Sequence, residues 1–190
     1  MAQFGGPKLV KQMYFDGKAK EKLINGINKI ANAVGSTLGA SGKTVVIEDD
    51  FGGPQVTKDG VTVANSILLQ DPIENLAVSM MKQAAQKTAA VAGDGTTTSI
   101  VLTKAIIDCY YSAKGEQHSF RDIRKGMDLF KDHIIKILDE KAIPVEQDKL
   151  RQVSTISANN DVELGDIIAN AFNEAGSNGV VTMESSPTSE

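Results

Sequence analysis

The amino-acid sequence predicts a mainly α-helical protein with small β elements, and three observations carry that expectation. Apolar residues recur at steps of three and four over most of the chain, glycine-rich turns interrupt these stretches, and one pair of short β-branched runs brackets a turn. With 190 residues, 41% of them hydrophobic and 23% charged, the chain can bury a core and reads as globular rather than disordered.

The elements follow in order. Leu23, Ile24, Ile27, Ile30, Ala31, Val34 and Leu38 form one helical stripe, with Asp16 as the expected cap and Gly39 as the expected end. The run Gly39-Ala40-Ser41-Gly42 then supplies a tight turn. Lys43 to Ile47 and Gln55 to Thr57 are extended, and the turn chemistry of Glu48 to Pro54 joins them into a hairpin. Lys58-Asp59-Gly60 closes the hairpin and opens a second helical run. From about Asn75, Leu76, Met80, Ala84, Thr88 and Val91 keep helical spacing until Gly93-Asp94-Gly95 interrupts it.

Past the threonines 96–98, Ile100, Val101, Leu102, Ala105, Ile106 and Cys109 predict a helix with a broad buried face and a buried thiol. Lys114 to His118 is a polar break, and Ser119 is the expected cap of a helix carrying Ile123, Met127, Phe130, Ile134 and Ile137 that ends before Pro144. A polar stretch then leads through Thr155 to Asn160, followed by a helix with Val162, Ile167, Ile168, Ala171 and Phe172 and by a short strand, Val180 to Met183. A lone strand cannot satisfy its own backbone groups, so its partner is expected outside these 190 residues.

Composition removes several function classes. Asp plus Glu number 24 against 20 Lys plus Arg, a net charge of −4, which argues against a dedicated phosphate-neutralising surface; no nucleic-acid partner is expected. No apolar run approaches the roughly 18 residues of a membrane span. The glycine-rich start lacks the layout of a secretory signal, so a cytoplasmic location is expected. One cysteine, Cys109, allows no internal disulfide, and two histidines make a histidine-based metal site improbable.

Three segments carry candidate chemistry. Ala92-Gly93-Asp94-Gly95-Thr96-Thr97-Thr98 is a glycine loop opening into a helix, whose unpaired N–H groups favour phosphate oxygens. There Thr96, Thr97 and Thr98 can donate to phosphate while Asp94 holds Mg²⁺; alternatively Asp94 caps the helix and the threonines satisfy local backbone. Thr37-Leu38-Gly39-Ala40-Ser41-Gly42 is either a turn lying against a nucleotide or a plain helix terminus. In Thr57-Lys58-Asp59-Gly60, Asp59 can orient or deprotonate an attacking water or help organise the metal, and Lys58 can supply charge or a carbonyl ligand; Asp-Gly is equally a common turn pair. Convergence on one triphosphate would account for all three.

These runs, together with Phe51-Gly52-Gly53-Pro54 and Thr155-Ile156-Ser157-Ala158-Asn159, resemble the group I chaperonins, the bacterial GroEL family, in order and spacing from about Gly17 to Met183. The resemblance implies an ATP-driven protein-folding machine of stacked rings. It implies that residues 1–141 form the first half of a helical equatorial domain with a β-hairpin stem loop. Residues 142–190 would begin an α/β intermediate domain, with Pro144 at its hinge. The family's apical domain, descending intermediate segment and second equatorial half are not in this sequence.

Residue by residue, the resemblance implies that Thr37, Leu38, Gly39 and Ala40 form the first nucleotide loop. Lys58 matches a position contacting nucleotide and a monovalent cation, K⁺. Asp94 matches the Mg²⁺ ligand, Gly95 with Thr96, Thr97 and Thr98 the phosphate cradle, and Asp59 an aspartate used in hydrolysis of ATP to ADP. The hairpin Lys43 to Thr57 resembles the stem loop that joins neighbouring subunits by strand addition. Non-native polypeptides and a co-chaperonin are the further partners implied. One departure stands out: where the family has Leu-Gly-Pro-Lys-Gly, this chain has Leu38-Gly39-Ala40-Ser41-Gly42, without the fixed φ and the positive charge. A naturally truncated, inactive paralogue serving as an assembly module is the second reading, and a small autonomous nucleotide-binding enzyme the third.

Overall fold

In the computed structural model, residues 13–39, 41–49, 51–112, 117–176 and 179–182 are described. Ala40 of the first loop, the residues 114–116 of the polar break and Met183 lie outside them. Helix α1 spans Asp16–Gly35, and its buried face is Gly26, Ile30, Ala31 and Val34, the centre of the expected stripe. Asp16 is not its cap: Phe15 holds that position without a side-chain bond, and Asp16 itself takes φ 55°. Nor does the helix reach Gly39. It ends four residues earlier, where Thr37 and Leu38 donate to the Val34 and Gly35 carbonyls as tight i to i−3 turns.

Strands β1 (Val45–Glu48) and β2 (Pro54–Thr57) pair antiparallel, with Val45 opposite Thr57 and Glu48 opposite Pro54, so the expected hairpin is present with each strand shifted by a residue or two. Asp49 shapes its turn, accepting from the Phe51 and Gly53 N–H groups at 2.9 and 2.7 Å. Short helix α2 (Gly60–Ser66) follows directly and buries Val63 and Ala64.

Helix α3 (Pro72–Ala92) starts with Asp71 as cap and Pro72 in its first turn. Its buried residues are Ala77, Val78, Met81 and Ala85, so the expected stripe is turned outward: Leu76 is 53% and Met80 61% exposed. Backbone proximity decided this. A Cβ on Gly26 of α1 would sit 2.3 Å from the Glu74 carbonyl oxygen and 3.0 Å from Ala77 Cβ, so α1 and α3 approach closely where their residues are smallest, and this sets which face of α3 turns inward. Lys22 pairs with Asp71 and Lys29 with Glu74 (2.5 Å) along the same seam.

Helix α4 (Thr96–Ser112) buries only Thr96 and Ile100 fully. Leu102, Ala105, Ile106 and Cys109 are exposed, which corrects both the broad buried face and the buried thiol. Ile30, Val34, Val63, Val78, Met81 and Ile100 form the core these helices share.

The chain divides into two compact units, the first up to Ile123 and the second from Arg124. Helix α5 (Phe120–Lys141) begins after Ser119, whose hydroxyl accepts from Asp122 N–H at 3.3 Å, and ends before Pro144, as expected; none of its residues is buried. Helix α6 (Gln147–Ser157) occupies the stretch expected to be only polar, and stops where Asn159 and Asn160 take φ of 56° and 65°. Helix α7 (Val162–Ala175), capped by Asp161 to Leu164 N–H at 3.0 Å, packs on α6. A Cβ on Gly165 would lie 2.6 Å from Thr155 Cα, so only glycine permits that contact. Val180 to Thr182 form no strand, there being no partner for one among the described residues. No helix among the described residues is long and apolar enough to cross a membrane.

Candidate functional site at the glycine loops

Three chain segments far apart in sequence meet at Gly60. A Cβ placed there would lie 2.0 Å from Thr97 Oγ1 and 3.2 Å from Thr37 Oγ1. The first turn of α2, the first turn of α4 and the exit of α1 are therefore in contact, and Gly60 is the residue whose missing side chain allows it. Each segment reaches this point for a local reason.

The α3–α4 loop is shaped by two glycines. Gly93, at φ 75°, closes α3 through its N–H to the Ala89 carbonyl at 2.8 Å, and Gly95, at φ 87°, starts α4 by accepting from Ser99 N–H at 2.8 Å. Asp94 lies exposed between them, its Oδ1 accepting from Gly95 N–H at 2.6 Å. It does not bond to the first N–H groups of α4 as a cap, so the alternative of a purely capping aspartate is not what the loop does. Thr96 is buried, Thr97 half-buried and Thr98 exposed. Consecutive helical residues point about 100° apart, so the three hydroxyls face different directions, and Thr97 is the one turned toward Gly60. Thr88 links the two helices, donating to Ser99 Oγ at 3.3 Å.

Asp59 caps α2. Its Oδ1 accepts from Val61 N–H at 3.3 Å, and its Oδ2 accepts from Thr62 N–H at 2.8 Å and the Thr62 hydroxyl at 2.6 Å. Partial desolvation works against its ionisation, but the Thr62 hydroxyl and the two backbone donors outweigh it and hold the carboxyl below the usual aspartate value. Lys58, just before it, is exposed.

At the α1 exit, Thr37 Oγ1 donates to the Val34 carbonyl at 2.8 Å, Gly39 takes φ 80°, and Lys43 N–H returns to the Ser36 carbonyl at 2.8 Å, folding the loop back on the helix end. Leu38 is exposed at its tip. Thus Thr37, Thr97 and the Asp59-Gly60 step share one point, Gly95 and Asp94 sit two and three residues from Thr97 along the chain, and Leu38, Lys58 and Thr98 are exposed on the same segments.

Gly60 and Thr62 were not among the expected site residues. The Asp59-Gly60-Val61-Thr62 spacing, an acidic cap with a hydroxyl three residues on, was the available signal for Thr62. Nothing in sequence marks Gly60 as a contact point.

An open cleft of about 730 Å³ lies in the second unit, lined by Asp148, Arg151, Gln152, Thr155, Ile156 and Val162, and contains none of the expected site residues.

A sequence profile described as the TCP-1/cpn60 chaperonin family matches residues 30–186. The chain belongs to that chaperonin family. It is 46% identical over 177 residues to the chaperonin GroEL of Holospora obtusa, a match covering 92% of this chain and 32% of that protein. The chain therefore spans about a third of this curated relative's length. Among solved structures, it resembles the chaperonin gp146 from the bacteriophage EL 2 of Pseudomonas aeruginosa, crystallised in the presence of ATP-BeFx. That match has a TM-score of 0.69 and 33% identity, and covers 81% of this chain and 27% of the phage chain. A group III chaperonin in the open state matches with a TM-score of 0.67 and 25% identity over 81% of this chain and 31% of that one. The helical chaperonin fold with its small hairpin is thus shared with these chaperonins.

Proposed function

We propose that this chaperonin chain supplies the phosphate side of an ATPase site in a cytoplasmic, ring-forming subunit that binds and hydrolyses ATP to drive folding of non-native polypeptides. In this reading residues 1–141 are the first half of the equatorial domain and 142–190 the ascending part of the intermediate domain. The observation that carries the proposal is the meeting of Thr37, Gly60 and Thr97 at one point. A glycine step flanked by two hydroxyls, beside the N-terminus of α4, suits phosphate oxygens. The phage relative's structure in the presence of ATP-BeFx supports a nucleotide as ligand.

Within that site, Thr37, Leu38, Gly39 and Ala40 would line one wall, Gly95, Thr96, Thr97 and Thr98 the other, and Lys58 would lie near a monovalent cation, K⁺. Mg²⁺ takes one or two carboxylates together with phosphate oxygens and water, so the single exposed carboxylate of Asp94 beside the phosphate cradle fits it. When bound, Mg²⁺ neutralises charge on the phosphates.

Asp59 takes the hydrolytic role. Its lowered pKa makes it a poor proton acceptor near neutral pH, which favours orienting an attacking water over deprotonating it. The hairpin Lys43 to Thr57, whose two strands pair with no further strand among the described residues, would join neighbouring subunits through its edges. Polypeptide and co-chaperonin contacts would belong to parts of the family fold outside these residues.

The test is a pair of substitutions in the intact subunit. Asp94→Ala is expected to weaken Mg·ATP binding at least roughly tenfold, the loss that even outer-shell partners of a metal produce. Asp59→Ala is expected to slow hydrolysis about 10²-fold while binding changes little. Titration calorimetry and single-turnover hydrolysis separate the two, and equal losses of both properties in both variants would show the roles wrongly divided.

A further inference from the structure

We propose that Lys82 is a positioning residue for Asp59, acting through helix α2; the inference rests on the nucleotide-site reading above. Helix α2 is seven residues long, about 10 Å, and too short to hold itself. Its front end is tied by Asp59. Its back end has no glycine closure: Ile67 leaves in an extended conformation, and the single cap bond, Ile67 N–H to the Ala64 carbonyl, is long at 3.4 Å.

Lys82 of α3 supplies what is missing. Its Nζ donates to the Asn65 carbonyl at 2.9 Å and to the Ile67 carbonyl at 2.8 Å. A cation on the last carbonyls of a helix also matches their partial negative charge. Partial burial pushes the amine below the ordinary lysine value, so Lys82 gives up some hydration to hold these two acceptors.

The placement links both carboxylates of the site. Helix α3 ends at Ala92 and runs into the Gly93–Gly95 loop that carries Asp94, whereas α2 begins directly after Asp59. Lys82 fastens one helix to the far end of the other. If that fastening is lost, α2 can pivot about its buried residues Gly60, Val63 and Ala64, and the exposed Asp59 carboxylate beside Gly60 changes its aim.

The experiment is a double-mutant cycle in the intact subunit with Lys82→Met, Lys82→Arg and Asp59→Asn. Single-turnover ATP hydrolysis, Mg·ADP affinity and thermal melting are each measured. Lys82→Met is expected to slow hydrolysis about tenfold, less than the roughly hundredfold that a 1 Å misplacement can cost, with Mg·ADP affinity changed by less than about twofold. Lys82→Arg should regain most of the rate, because it restores the donors. In the Asp59→Asn background Lys82→Met should add nothing, since the residue it positions is already disabled.

Wild-type hydrolysis in Lys82→Met alongside a slow Asp59→Asn, or additive losses in the double variant, would overturn the inference. If Lys82→Met does not fold, Lys82→Gln takes its place in the cycle. Failure of both to fold would assign Lys82 to global stability and likewise overturn it. Unchanged hydrolysis in Asp59→Asn would instead overturn the reading of Asp59 on which the inference stands.

Discussion

Helices α1 to α4 and helices α6 and α7 solve the same packing problem with different means. The first group closes a core of branched aliphatic side chains, with Ile30 and Val34 fully buried among Val63, Val78, Met81 and Ile100. The second group buries only Ser154, Gly165 and Ala169, and is joined by a glycine contact and the bidentate Arg151–Asp166 ion pair, whose Nη2 to Oδ2 arm is 2.7 Å. Burial of apolar area is the main stabilising term, so the first group is the mechanically sound part of the chain. It is also the part that brings the three loop segments together. A site that must hold loops in register belongs on the best-packed helices.

The largest expected effect tests that contrast directly. Ile30→Ala should cost about 3 kcal/mol in denaturant unfolding, the usual loss for a fully buried large aliphatic side chain. Ile156→Ala on α6, whose side chain is exposed, should change stability by less than about 0.5 kcal/mol. Comparable losses from the two would erase the distinction between the regions.

Next in size is the same substitution made at a glycine of each region. A Cβ at Gly165 meets backbone, Thr155 Cα at 2.6 Å and N at 2.8 Å, whereas at Gly60 its shortest contact is the Thr97 hydroxyl, which can rotate aside. At Gly60 only the Thr97 hydroxyl, at 2.0 Å, must rotate, with Thr97 Cβ and Thr37 Oγ1 both at 3.2 Å giving slightly. Gly165→Ala should therefore cost roughly 2 kcal/mol and open α6 and α7 to hydrogen exchange, while Gly60→Ala costs less than about 1 kcal/mol. The reverse order would show that Thr97 is held more rigidly than its hydroxyl contact suggests.

The smallest effect is in pH. Arg151 holds the Asp166 carboxyl below the ordinary aspartate value through a hydrogen bond, and Lys22 does the same for Asp71 at the α1–α3 seam. Each folded pKa is lowered, so each contribution is full above the unfolded aspartate pKa and disappears as pH falls through the folded one. Both pairs are open to solvent, so the contributions are small and weaken with salt. Arg151→Met should flatten the acid limb of α6–α7 exchange protection while leaving that of α1–α4 unchanged, a difference that amide exchange between pH 5 and pH 2.5, on the order of the acidic range just described, would register.

Legibility in the sequence divides along the same physical line. Helix α1, the hairpin, α2, α5 and α7 were readable because period, caps and turn residues are local signals: Ser119 and the glycine of the Asp59-Gly60 step mark their boundaries unaided. Helix α6 was missed because Gln147 to Ser157 is polar on average and carries only Leu150, Val153 and Ile156 as apolar residues, too few to stand out although they keep helical spacing. The buried face of α3 was misread for the opposite reason. Leu76 and Met80 made the expected stripe, but α1 approaches through Gly26 and selects the face of Ala77, Val78, Met81 and Ala85. Cys109 was assigned to the interior on residue type and on its place in the apolar run from Ile100, and α4 turns it outward.

By itself, the sequence determined which stretches are helical, α6 excepted, which loops carry glycine and carboxylate, and, through its ordered motifs, the chaperonin family to which the chain belongs. Tertiary structure alone decided which helix faces touch and that Thr37 and Thr97 flank Gly60. Dihedral preferences and caps act within a few residues and are written locally, whereas the approach of one backbone to another depends on the absence of side-chain atoms at points far apart in the chain.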